Sequence, residues 1–486
     1  MNNKTFIFTI LSPLYMKRVL VILIIITAGC IFQQPPYFER CEPAEVALAV
    51  SQGETVEFSC TVFDPDTKNL VYTWHVNGVK VSDTYWYDFD MAAGDYTILI
   101  EVSDGKTIIS HQWNVTVTNS PNFKKIQDRT ERIRGLEFLA PVTIVQIDRD
   151  QLRENLIASL EEERNSILSE QHLYVALHIL DPETDLYKVY IDVLTTQIAS
   201  YYNTEDHTFY EVVDPDAPIT VREFIAAHEL VHALQDQYYY LDEEFENDDQ
   251  HLAFLCVVEG DAMFHQYEYM NKMTYQEKEE LFAYIYSLDI PVINPLLENI
   301  FALRYNLGLE FVTAMSFFDI DGLYQRLPVS TEQVMHPEKY MINELPVPVT
   351  VPVVPGWDIC AENVLGEAII KTILNQHINT GKAAEAAAGW GGDAYRYYEK
   401  GGHYLLFINT FWDTKRDATE FLEAYYNFTE SWSNKDIRKI EDNIYETPTG
   451  FLALIQKEKQ VIIIESPSLD AVTTALSLMG ISFCIV

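Results

Sequence analysis

The spacing of apolar residues changes character once along this chain, near Thr118. Before that point, short runs alternate apolar and polar residues and are cut by Gly, Asp, Pro and Asn: Val46–Val50, Val56–Cys60, Leu70–Trp74, Tyr96–Ile100 and Trp113–Val117. Such runs make strands at short, regular intervals, so residues 41–118 are expected to form a small β-sandwich. After a polar linker at 119–135, residues 136–486 show helical periods interleaved with a few strands, as in the strand-like Pro141–Ile147 and the amphipathic stretch Asp150–Leu168. The two element types do not alternate regularly, so α+β is expected rather than a doubly wound parallel sheet. At 486 residues the chain is also too long for one compact core. With 33 basic against 73 acidic side chains it carries a formal charge of −40, which repels a phosphate backbone and argues against a nucleic-acid partner.

The segments F-D-P-D-T-K-N-L-V-Y-T-W-H-V-N-G, A-A-G-D-Y-T-I-L-I-E-V-S-D-G and W-N-V-T-V resemble PKD-like immunoglobulin-fold domains of microbial surface proteins. The resemblance implies that Trp74 is buried between two sheets. Asp64 and Asp66 are read as turn caps in preference to a calcium site. Cys41 and Cys60 either form a disulfide, if this part is exported, or remain two thiols.

Ahead of this region, Lys17-Arg18 precede an apolar run from Val19 to Ile26 and then Thr27-Ala28-Gly29-Cys30, the layout of an export signal. The run to Phe32 is shorter than the roughly 20 residues a spanning helix needs. Residues 1–33 are therefore expected to be a signal or lipoprotein-type anchor, with Cys30 lipidated, Met16 the start and the exported chain held at the cell surface, on the extracellular face of the membrane. A-G-C resembles the end of a lipoprotein box, although Thr27 stands where such boxes usually carry Leu or Val.

The chemistry concentrates in Pro218–Leu241. Thr220 and Glu223 read as a capping box that starts a helix near Val221, running to about Tyr238. Within it lies H-E-L-V-H. Residues four apart share one helical face, so His228 and His232 can both reach one metal ion while Glu229 aims at the ion's water as general base. Phe224, Ala227, Val231 and Leu234 supply a core face beside them. A second helix, about Gln250–Met270, places Glu259 on a mainly apolar stripe with Leu252, Leu255, Cys256 and Met263. A carboxylate in that setting needs a cationic partner, and an ion held by two histidines would provide it.

H-E-L-V-H-A-L-Q-D followed by E-G-D-A resembles the gluzincin class of zinc metallopeptidases. The resemblance implies a mainly helical zincin-like domain behind a small immunoglobulin-like sandwich, one Zn2+ per chain on His228, His232 and Glu259, Glu229 as the base, and a peptide or protein substrate. S-T-E-Q-V-M-H-P-E-K-Y at 330–340 and A-G-W-G-G-D-A-Y at 388–395 also resemble segments of exported prokaryotic proteins bearing this motif. Gluzincins often carry an Asp four residues after the third ligand; here that place is Met263, leaving Asp236 or Asp261 to orient a histidine. His336, Tyr340 and His403 are the candidates to stabilise the oxyanion. A hairpin of Ile198–Tyr202 and Thr208–Val213 could offer an edge strand to an extended peptide. The glycines at 389–392 lack the spacing and lysine of a phosphate loop and read as a turn with Trp390 and Asp393 packed. Phe451–Ile455 and Val461–Glu465 read as a closing hairpin before a helix at Leu469–Leu478. A different class, a non-catalytic surface binding protein, shares most of these features but has no need of Glu229.

Overall fold

The computed structural model of the protein describes residues 34–481 apart from positions 53, 240, 242, 243, 290, 291 and 293. The expected export segment 1–33, with Cys30, lies outside the described residues. Among these residues no helix is long and apolar enough to cross a membrane. The chain divides into two compact units between Thr118 and Asn119.

The first unit contains β1 (Tyr37–Glu42), β2 (Ala47–Ser51), β3 (Val56–Phe63), β4 (Val71–Val76), β5 (Val79–Ser82), β6 (Trp86–Phe89), β7 (Gly94–Ser103) and β8 (Ile108–Thr118). They form two sheets, β1-β3-β6 and β2-β8-β7-β4-β5, with only β2 and β8 paired in parallel. Period-two alternation sends Ile98, Ile100 and Val102 of β7 inward with Trp113, Val115 and Val117 of β8, and they meet Phe58 and Phe89 from the other sheet. Trp74 is fully buried and stacks on Trp113 at 5.9 Å; its indole N–H donates to the Thr84 carbonyl at 2.9 Å. Cys41 and Cys60 stand opposite each other in the β1–β3 pair and are joined as a disulfide. Closing a loop of that length stabilises a fold by about 3 kcal/mol, chiefly by restricting the unfolded chain. Asp64 Oδ1 accepts from the N–H groups of Asp66 and Thr67 at 2.7 and 2.9 Å, a turn cap.

In the second unit, β9 (Thr143–Ile147), β10 (Ser200–Asn203) and β11 (Thr208–Val212) form a sheet in the order β10-β11-β9. Strand β10 runs antiparallel to β11, and its other edge is unpaired within this sheet. The remaining strands are β12 (Asp358–Asn363), β13 (Trp390–Lys400), β14 (His403–Trp412), β15 (Arg438–Glu441), β16 (Ile444–Thr447), β17 (Gly450–Lys457) and β18 (Gln460–Ser466). They make one antiparallel seven-stranded sheet, β12-β13-β14-β18-β17-β16-β15.

That sheet overturns the expected fold class. With 43% helix and 27% strand, the chain is not a mainly helical zincin-like domain behind a small immunoglobulin-like sandwich. The physical reason is burial on both faces. One face packs Tyr397, Leu406, Leu454 and Ile463 under helices that include Lys415–Trp432, while the other packs Tyr398, Phe407, Ile455 and Ile464 under the helix Leu469–Leu478. Strands covered on both sides lose the apolar–polar alternation that reveals a strand; the expected closing hairpin is present as β17 and β18, but the pattern does not show that five further strands join it in one sheet. The segment expected to be a glycine turn is the start of β13. There Asp393 is buried and accepts from the N–H groups of Leu365 and Gly366 and from the Trp390 indole at 2.9–3.0 Å.

Three helices of this unit build the site: Ile219–Tyr239, Asp248–Asn271 and Pro295–Met315. The first begins two residues earlier than expected. The Pro218 carbonyl accepts from Val221 and Arg222, so Thr220 falls inside the first turn and bonds Glu280 in place of capping. The second is capped by Asn247, whose side chain accepts from Gln250 N–H at 2.9 Å. The second and third cross backbone against backbone. A Cβ on Gly260 would lie 2.3 Å from the Gly308 carbonyl oxygen, and one on Gly308 would lie 2.2 Å from that of Cys256.

Candidate metal centre

The first site helix is buried along Ala226, Ala227, Leu230, Val231, Ala233 and Leu234, which fixes its rotation. That rotation turns His228 and His232 toward the second helix, where Glu259 waits one residue before the glycine crossing. His228 Nε2 lies 3.0 Å from His232 Nε2, and Glu259 Oε2 lies 3.2 and 3.3 Å from the two nitrogens. An ion bound tetrahedrally at about 2.0–2.1 Å sets its ligand atoms about 3.3–3.4 Å apart, so the three donors fit one zinc ion to within a few tenths of an ångström. They form one such group among the described residues. The other, Glu332, Glu344 and Asp413, already surrounds the Lys339 ammonium at 2.5–2.9 Å.

Electrostatics make the same corner attractive to a cation. Burial works against charge on His232, but the hydrogen bond and charge of Glu259 outweigh it and raise the imidazole to about 9. Burial would raise Glu259; His228 and His232 outweigh that and hold it well below the usual carboxylate range.

Glu229 stands beside the group without joining it. Its Oε1 accepts from the Ser200 hydroxyl at 2.9 Å, a bond supplied by the first residue of β10. No described donor bonds its second oxygen. His232 Nδ1 donates to Gln235 Oε1 at 2.8 Å, so Nε2 is the nitrogen that would give up its proton and turn a lone pair to an ion. Gln235 Nε2 in turn donates to the Val258 carbonyl at 2.9 Å and to Asp261 at 3.0 Å. Asp261 is fully buried and also receives Arg134, Tyr324 and His265. It therefore reaches His232 through Gln235. Asp236 does not take part: its carboxylate accepts from Tyr202 and His207 at 2.8 and 2.7 Å. His228 Nδ1 is buried with no partner among the described residues, consistent with Met263 occupying the place of an orienting acid.

These groups open on a cavity of about 1010 Å³ that is also lined by Ser200, Tyr201 and Tyr202 of β10 and by Arg304 and Tyr305 of the third helix. None of the three expected oxyanion donors lines it. His336 Nε2 bonds Glu367 at 2.9 Å, Tyr340 is buried with its hydroxyl on the Arg326 carbonyl at 2.7 Å, and His403 is exposed at the start of β14. Each is placed by the packing of its own segment, which a motif of a few residues does not reveal. In their place the structure brings Tyr305, whose ring centroid is 6.3 Å from that of His228. Burial, then the charge of Glu259, keeps its phenol proton bound well beyond the ordinary range. The one local signal for it is the isolated Gly308 inside a long helical pattern, which marks a close backbone approach.

A family model described as a Domain of unknown function (DUF8575) matches residues 355–475, the seven-stranded sheet and its helices, and excludes the three converging donors. No curated protein matches the chain. Among solved structures, a quinoprotein alcohol dehydrogenase-like protein from Bacteroides thetaiotaomicron matches at 14% identity and TM-score 0.16, over 17% of this chain and 20% of its own. Fibronectin(III)-like modules of CbhA from Clostridium thermocellum match at 16% identity and TM-score 0.16, over 17% and 47%. A Bacteroides ovatus protein of a mixed-linkage glucan utilization locus, solved with a heptasaccharide, matches at 21% identity and TM-score 0.14, over 18% and 24%. The chain thus spans less than half the length of each of these structures.

Proposed function

We propose that the second unit hydrolyses peptide bonds as a zinc-dependent metallopeptidase. The observation that carries this reading is the convergence of two imidazole nitrogens and a carboxylate oxygen within 3.0–3.3 Å, with Glu229 alongside, on one cavity. His228, His232 and Glu259 would hold the ion. Bound there, zinc supplies Lewis acidity, lowering the pKa of water and polarising a carbonyl oxygen.

The protein's own residues supply the rest. Ser200 tethers one oxygen of Glu229 and leaves the other to take a proton from the attacking water and to deliver it to the departing amine. Tyr305, held protonated, donates to the oxygen on which negative charge develops. The unpaired edge of β10 offers main-chain groups to an extended substrate, so peptide backbone is bound before any side chain is read. An unstructured segment fits this demand; a folded strand already paired in its own sheet does not.

The same proposal places the chain outside the cell, anchored through the segment ending at Cys30. The basic pair and apolar run before Cys30 support export, as does the Cys41–Cys60 disulfide, a bond that persists in oxidising compartments.

The test is cleavage of an unstructured protein by the zinc-loaded chain. A chelator is expected to abolish cleavage and one equivalent of zinc per chain to restore it; a zinc-loaded chain that leaves every such substrate intact overturns the reading.

A further inference from the structure

Arg134, Arg222 and Arg396 are paired with carboxylates at 2.7–3.1 Å, Arg134 with two of them. Arg304 is different. It is the one Lys or Arg side chain among the described residues lining the site cavity. Its guanidinium lies 5.6 and 5.5 Å from the ring centroids of Phe301 and Tyr305, and its Nε is buried with no hydrogen-bond partner among the described residues. No described carboxylate lies within ion-pairing distance of it. Of the four described acids that line the cavity, Glu170 accepts from Tyr174 and Tyr190 at 2.6 Å, Glu229 accepts from Ser200, Glu259 faces the two histidines, and Glu163 is exposed. A buried donor on a cation is costly to leave unpaired, and a planar guanidinium fork matches a carboxylate with two parallel hydrogen bonds.

We infer that Arg304 receives a carboxylate of the peptide bound in this cavity, either the free C-terminal carboxylate or an Asp or Glu side chain. The inference rests on the peptidase reading for the identity of the ligand as a peptide. The Arg304–Tyr305 and Tyr305–His228 separations together put the guanidinium within about 12 Å of the His228 ring. An extended chain covers that distance in about four residues, so the recognised carboxylate lies no more than about four residues from the bond that faces the metal donors.

The experiment is equilibrium binding to the zinc-loaded Glu229→Gln chain, read by titration calorimetry. Three versions of one neutral tetrapeptide serve as probes: the free acid, the C-terminal amide, and the amide with one internal Gln replaced by Glu. The carboxylate-bearing forms are expected to bind about tenfold to a hundredfold tighter than the neutral amide. In Arg304→Gln that ratio falls to about one, and Arg304→Lys recovers part of it. An advantage confined to the free acid assigns recognition of the chain terminus; one confined to internal Glu assigns side-chain specificity. Equal affinity for all three peptides overturns the inference, as does a ratio that survives in Arg304→Gln or an absence of binding by every probe. Because no turnover is needed, selective binding by a chain that hydrolyses nothing rejects the peptidase reading alone and leaves Arg304 as a carboxylate receptor.

Discussion

Replacing Glu229 with Gln is expected to lower kcat/KM for peptide hydrolysis about a thousandfold while the chain still binds one zinc ion. The amide has the shape of the carboxylate and keeps an oxygen to accept the Ser200 hydroxyl now 2.9 Å away, so the fold of the corner is preserved. Neither does the change remove a metal donor, since the converging atoms belong to His228, His232 and Glu259. What it removes is the ability to take a proton from water, a contribution worth about 10²- to 10⁴-fold when the base is well placed. Paired measurements of metal content and of kcat/KM decide the matter. Loss of both together would mean that Glu229 holds the structure, and retention of both would mean that another group is the base.

Gly308→Ala is expected to destabilise the second unit by about 3 kcal/mol and to weaken zinc binding with it. The added methyl group would lie 2.2 Å from the Cys256 carbonyl oxygen and 3.0 Å from the Gly260 nitrogen, and both contacts are to backbone that cannot rotate away. The helices must separate. Glu259 adjoins Gly260, and Tyr305 lies about one turn before Gly308, so a shift of the crossing moves the third metal donor and the phenol relative to the histidines. At an ordinary position in a helix the same substitution stabilises by about 1 kcal/mol, because alanine restricts the unfolded chain. The sign of the change in denaturation midpoint therefore discriminates: stabilisation would show that the two helices are not in backbone contact.

What the amino-acid pattern reveals about this site follows the range of the interactions. His228 and His232 are four residues apart on one helix, a relation fixed by helical geometry before any tertiary contact. Glu259 is legible for a related reason, since a carboxylate on an apolar stripe demands a partner. Gln235, Ser200 and Tyr305 are not legible, because each acquires its role only when separate elements meet: Ser200 reaches Glu229 from a strand, and Tyr305 arrives on a third helix. The sequence does not choose between Asp236 and Asp261 as the substitute for the acid missing at Met263; packing directs one to Tyr202 and His207 and the other to Gln235. Of the seven-stranded sheet only the hairpin of β17 and β18 is legible; β13, which reads WGGDAYRYYEK, is hidden for the opposite reason, an excess of burial, with most of its residues on both faces enclosed. In the first unit no strand is buried on more than one face, so alternation survives in its core strands and they stand out.

The central claim is that three side chains from two helices hold one zinc ion. Zinc-edge X-ray absorption on the chain loaded with one equivalent tests it most directly. The account predicts scattering from two imidazoles and from oxygen at about 2.0–2.2 Å, with the imidazole signal reduced by half in His232→Ala. A shell containing sulfur, or one whose imidazole signal is unchanged in that variant, would place the metal elsewhere and contradict the account.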